Sequence, residues 1–121
     1  MKRINLAEKF TLFDEHWAPK ILAEANGQLI KIAKGVGEIV WHNHAEEDEV
    51  FFVIKGKLTI RFRDRNVDLH PGELLVVPKG VEHSPCADEE THILLIEPRS
   101  TAHTGEIESN QTVRLEDQQW I

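Results

Sequence analysis

The chain has 121 residues, one cysteine and seven histidines, with 21 acidic against 14 basic residues and a formal net charge of −7. That length suits one domain that buries a core without disulfide staples, and a lone Cys86, unable to form an internal disulfide, fits a reducing compartment. The acidic balance repels phosphate backbones and excludes nucleic acid as a general partner.

No stretch approaches the roughly 20 apolar residues that span a bilayer, so no membrane partner is expected. Met1-Lys2-Arg3 is basic, but Glu8, Lys9, Asp14 and Glu15 interrupt any apolar run behind it. No export signal is read there, and cytoplasm is the expected compartment.

Asn5, with Glu8 three residues on, has the form of a capping box and predicts a short helix from Leu6 to Phe13. Such a helix is too short to stand alone and must pack on something larger. From Pro19 the pattern turns to strands. Ile21–Ala25 and Gln28–Ala33 flank Asn26-Gly27, a dipeptide suited to a tight hairpin turn. Gly35 and Gly37 are expected to break the second run. Ile39-Val40-Trp41 leads into His42.

Val50 to Ile54 is an apolar run ended by Gly56. Leu58, Ile60 and Phe62 alternate with Thr59, Arg61 and Arg63, the period of a strand with one wet face. The arginines, with Arg65, read as a solvated face and not as a phosphate site. Asp64-Arg65-Asn66 and Pro71-Gly72 are turns on either side of Val67 and Leu69. Leu74–Val77 reads as a buried strand ended by Pro78. Ile93–Ile96 reads as the last strong strand, stopped by Pro98. Many short strands with regular turns indicate an antiparallel sandwich or barrel. Residues 1–18 form the helix and lead-in, 19–98 the barrel, and 99–121 a polar tail whose apolar Trp120 and Ile121 are expected to dock back on it.

In Trp41-His42-Asn43-His44 the two imidazoles stand two residues apart, which on a strand puts both on one side. Paired imidazoles suit a transition metal. Ala45 to Asp48 reads as a connection. Glu49 opens the next strand and shares parity with Phe51 and Val53. If those two face the interior, so does Glu49, and a carboxylate there needs a partner or a cation. That argument selects Glu49 over Glu46, Glu47 and Asp48. The Pro78–Gly80 turn redirects the chain so that His83 can face back inward.

These residues resemble the cupin family. His42 to Gly56 matches its first motif: two histidines one residue apart, four residues, Glu49, six residues, Gly56. Gly72 to His83 matches its second: five residues, Pro78 and Gly80, two residues, His83. Two positions depart from the pattern. Gly37 precedes His42 by four intervening residues instead of five, and Ala87 stands where an asparagine is usual. Neither removes a metal-binding group. The resemblance spans about Gly35 to Ile96 and implies an all-β, antiparallel jelly-roll β-barrel. It also implies one divalent metal ion held by His42, His44, Glu49 and His83. Iron, manganese, zinc, nickel, cobalt and copper all accept such ligands. It implies a homodimer too, for which the strands around Ile21 to Ile32 are the expected interface.

The expected function is a metal-dependent enzyme on a small organic molecule, of dioxygenase type. Sugar-phosphate isomerase chemistry and a non-catalytic metal- or ligand-binding module are the alternatives. No cluster of basic residues to hold a phosphate is evident, which weakens the isomerase. His16, His70 and His92 read as exposed or structural. His103 reaches a pocket mouth only if the tail folds over it. Cys86 reads as a small buried residue, and Trp17 and Trp41 as core or interface aromatics.

Overall fold

Asn26 and Gly27 take positive φ angles of 54° and 77°, which closes a tight hairpin between β1 (Lys20–Ala25) and β2 (Gln28–Glu38). Asparagine and glycine reach that region at least strain, so this turn is written locally. The computed structural model describes all 121 residues. Beyond the hairpin come β3 (Glu49–Lys55), β4 (Leu58–Phe62), β5 (Asn66–Leu69), β6 (Leu74–Val77), β7 (His83–Pro98) and β8 (Gln119–Trp120), with one α-helix, α1 (Leu6–Phe10), ahead of them. No helix is long and apolar enough to cross a membrane.

The strands form an all-β barrel of jelly-roll type, organised around β7. Along one edge β7 pairs with β2. Along the other, β4 takes its first part, Thr59–Phe62 against His83–Cys86, and β3 its second, Val50–Lys55 against His92–Ile96. One strand thus serves both walls. It turns between them at a bulge, where Asp88, Glu89 and Glu90 stand opposite the single residue Val36. All pairs are antiparallel except β1 with β8, which is parallel.

Several boundaries differ from the sequence reading, each for a physical reason. The helix stops at Phe10, where Thr11 turns back to hydrogen-bond the Glu8 carbonyl. Its cap is as expected, with the Asn5 side chain accepting from the Glu8 N–H at 3.0 Å. β2 does not break at Gly35 and Gly37 but shifts register there. Gly35 is needed for close packing, since a Cβ would meet the Trp17 ring at 2.6 Å. Asn66 belongs to β5 and not to the turn before it. β6 is an edge strand paired only with β3, so Leu74 and Val76 remain 59% and 47% exposed and only Val77 is buried. β7 begins at His83, ten residues ahead of Ile93. Its charged bulge hides the alternation in sequence.

Side chains of one parity fill the barrel. Val53, Leu58 and Ile60 are wholly buried beside Phe51, Val77, Ile93 and Leu95. Each such aliphatic side chain contributes roughly 1.5–3 kcal/mol by leaving water. The opposite face of β2 and β7 is partly covered by the ends of the chain. Phe10 and Phe13 pack on Ile32 there, joined by Leu94 and Ile121. The Ile121 N–H bonds to the Ile21 carbonyl, while the Trp120 side chain stays 56% exposed.

Candidate metal centre

Glu49 opens β3 with the same parity as Phe51 and Val53, and all three are buried. Backbone pairing brings the remaining groups to it. The His42 N–H bonds to the His83 carbonyl at 3.0 Å, and the His83 N–H returns to the His42 carbonyl at 2.9 Å. The Gly80 N–H bonds to the His44 carbonyl at 2.8 Å, so the Pro78–Gly80 turn is tied to the loop after His42. Asp48 accepts from the Lys79 N–H at 2.8 Å, which gives that carboxylate a turn-closing role outside the site. Glu46 is exposed and Glu47 partly so.

One ligand atom from each of His42, His44, Glu49 and His83 lies within 4.8 Å of all the others. The four residues are at most 5% exposed. His44 Nδ1 and Nε2, His83 Nε2 and Glu49 Oε1 are buried without a hydrogen-bond partner. Buried polar atoms are rarely left so, because each loses its water without compensation. Glu49 Oε1 stands 3.4 Å from His44 Nε2 and 3.5 Å from His83 Nε2. Those separations are long for a hydrogen bond. They suit donors that share an ion, since two atoms each about 2.1 Å from one centre sit roughly 3–4 Å apart.

The ring orientations agree. His42 Nδ1 lies 2.7 Å from the Val40 carbonyl and His83 Nδ1 lies 2.9 Å from the Val81 carbonyl. A carbonyl only accepts, so both Nδ1 atoms carry the proton and both Nε2 lone pairs face the site. Burial, with the neighbouring His83 and His44, pushes the His42 pKa down to about 4. The ring is therefore neutral at neutral pH, the state a metal requires. These residues fit a divalent cation.

Behind Glu49 lies a polar group that the sequence reading does not include. Val50 pairs with Ile96, which places Glu49 beside Glu97 on the neighbouring strand. Lys31, wholly buried, donates to Glu97 Oε1 at 2.6 Å and to Gln118 Oε1 at 2.6 Å. Burial alone raises a carboxyl pKa, but the adjoining Glu97 carboxyl and the nearby His44 and His83 rings hold Glu49 well below its usual range. Burial and the Glu49 charge push Glu97 well above its own, against the pull of Lys31. Two adjoining carboxyls disfavour each other's charge, which drives the pair apart, Glu49 downward and Glu97 upward. Lys31 shares inward parity with Leu29 and Ala33, and Glu97 with Leu95, so a charge on an apolar stripe was the available signal. Gln118 gives none.

A cavity adjoins the ligands, lined by Trp17, Ile39, Phe51, Ile93, Leu95 and His103 beside His42 and Glu49. The tail reaches its mouth through specific contacts. Gln111 accepts from the Val40 N–H at 3.0 Å and donates to the Glu38 carbonyl at 2.7 Å. Gly105, with φ of 60°, lies so close to Asn43, between the first two histidines, that a Cβ would overlap the Asn43 carbonyl.

The other residues singled out from sequence lie elsewhere. His92 stacks on Phe10 with centroids 4.3 Å apart and, with His16, pairs with Glu90. His70 is exposed. Cys86 is half-buried on the outer wall beside Thr59, not a buried core residue, and desolvation raises its pKa. Trp17 is in the core. Trp41 carries the Arg63 guanidinium 3.8 Å above its ring. Arg61 and Arg63 pair with Glu38 and Glu82, so neither is a free cation for phosphate.

Comparisons with known proteins agree with this geometry. A family profile described as Cupin domain matches residues 28–97. The uncharacterized protein YdbB of Bacillus subtilis (strain 168) is 31% identical over 98 residues, 80% of this chain and 79% of its own. A cupin-2 domain containing protein from Shewanella frigidimarina NCIMB 400 is 54% identical with a TM-score of 0.78, over 78% of this chain and 93% of that one. Protein NMB1881 from Neisseria meningitidis is 32% identical with a TM-score of 0.74, over 80% and 99%. With the motifs, the barrel and the clustered His42, His44, Glu49 and His83 all in place, the chain belongs to the cupin family.

Proposed function

We propose that this cupin is a divalent-metal-dependent enzyme acting on a small organic molecule, with dioxygenase-type chemistry. The observation that carries the reading is the convergence of ligand atoms from four side chains within 4.8 Å of one another, those of His44, Glu49 and His83 being buried with no partner in the protein. A divalent ion held by three imidazoles and one carboxylate keeps positions open and supplies redox chemistry with dioxygen or Lewis-acid polarisation of a carbonyl.

The surroundings favour oxygenase over sugar-phosphate isomerase chemistry. No lysine or arginine lines the cavity, and its walls are mostly apolar. Lys31, the nearest buried cation, is committed to Glu97 and Gln118. A phosphate would meet no free positive side chain there, whereas a small, largely apolar substrate meets matching walls.

Metal analysis of the purified protein, with oxygen uptake on a panel of diketones, phenols and thiols, tests this. Iron at one per chain with oxygen uptake on one of these classes is expected. Stoichiometric zinc with no turnover of any class would make the protein a binding module instead.

A further inference from the structure

The cavity holds one polar side chain that the metal reading leaves without a role. We infer that His103 orients the substrate, donating a hydrogen bond from Nε2–H to an acceptor oxygen of a small, largely apolar molecule bound at the metal. This rests on the metal reading above.

The tautomer follows from one contact. The Val113 N–H approaches His103 Nδ1 at 2.9 Å. A backbone N–H only donates, so Nδ1 holds its lone pair toward Val113 and the proton of the neutral ring sits on Nε2. Burial pushes the His103 pKa down to about 4, which keeps the ring neutral. His42 and His83 have the reverse arrangement, with Nδ1 protonated and Nε2 free for a metal. His103 therefore has no lone pair to offer as a ligand unless its bond to Val113 breaks.

The placement follows from the tail. His103 lines both the metal cavity and the outer groove that contains Val113. Its Nδ1 edge is turned to Val113, so the opposite, Nε2 edge is the one left for the cavity that the ring also lines. The ring is held by its neighbours. Thr104 bonds to the Ile107 carbonyl and to Thr112, both at the start of the return toward Val113. Gly105 fits against Asn43.

The remaining walls define the ligand class. Trp17, Ile39, Phe51, Ile93 and Leu95 are apolar and leave about 30 Å³ of free space, room for a group the size of one or two waters, and no cation is present for a phosphate or sulfate. A carbonyl, enol or hydroxamate oxygen meets the N–H; a hydrocarbon alone leaves it unpaired.

Acetohydroxamate is a suitable probe, because it offers acceptor oxygens and chelates metals without turnover. Wild type, His103→Phe and His103→Gln are loaded with Co(II), and acetohydroxamate is titrated against the visible cobalt bands. Phenylalanine keeps a ring but loses the donor; glutamine keeps an N–H. Co(II) affinity is expected to stay within about two-fold in both variants. Acetohydroxamate is expected to bind about ten-fold more weakly to the Phe variant and within about three-fold of wild type to the Gln variant. A Phe variant that binds the probe as tightly as wild type overturns the assignment and leaves the metal reading intact. A Phe variant that loses Co(II) makes His103 a ligand and also overturns it. Wild type that takes up no Co(II) sinks the metal reading, and this inference with it.

Discussion

His42 and His83 are backbone partners, exchanging both N–H···O bonds across an antiparallel bridge. Two candidate ligands from distant parts of the chain are thus held by main-chain bonds, with ring centroids 4.6 Å apart. These main-chain bonds set the spacing of the two side chains. His42→Ala or His83→Ala is expected to abolish metal uptake while circular dichroism still reports a folded β protein. Full metal occupancy in either variant would overturn the ligand assignment.

Lys31 supports Glu49 through Glu97. Lys31→Met leaves Glu97 and Gln118 facing each other without their cation. Breaking such a buried pair costs roughly 3–5 kcal/mol, and the lower end is expected because Glu97 can hold a proton. Adding Glu97→Leu should recover part of the loss. Urea titration of both variants measures this, and a single variant as stable as wild type would contradict the buried pair.

Acid should destabilise the metal-free protein in a defined window. Desolvation lowers the pKa of His42 and His103 from 6.5 to about 4. As pH falls through 6.5 the unfolded chain takes up protons that the folded chain refuses until about 4. The unfolded state binds more protons in between, so stability is full above the window and lost toward its lower end. The loss is on the order of 3 kcal/mol per ring. Urea midpoints of chelator-treated protein at about pH 7.5 and about pH 4.5 read it. Bound metal should oppose the loss until protons displace it from the imidazoles. Equal midpoints for the metal-free protein would show that these rings are not buried neutral.

A dimer is expected, and among the strands read for it in sequence β2 offers an apolar outward face. β8 already covers Lys20 and Ile21 on the edge of β1. The outward row Val76, Val50, Ile96 and Ile30 is apolar across four paired strands and lies beside exposed Leu74. Sedimentation should give twice the chain mass, and Val76→Glu should shift it toward the monomer. Wild type that sediments at the mass of one chain would contradict this.

Three of the candidate ligands, His42, His44 and Glu49, were legible from local spacing and parity. His42 and His44 alternate past one residue, and Glu49 shares its face with Phe51 and Val53 whatever the barrel around them. The Asn26-Gly27 turn was legible for the same reason. β7 was not, since Asp88, Glu89 and Glu90 look like a loop until β2 supplies the opposing strand that makes them a bulge.

Parity singled out Glu49 and the motif resemblance added His83, but only the folded backbone brought His83 to His42. The cavity's remaining chemistry was decided at still longer range. Glu97 reaches Glu49 across a strand pair, Gln118 reaches Lys31 from the tail, and His103 owes its tautomer to Val113. Hydrogen bonds of that kind depend on which strands and loops become neighbours, and no spacing along the chain encodes them.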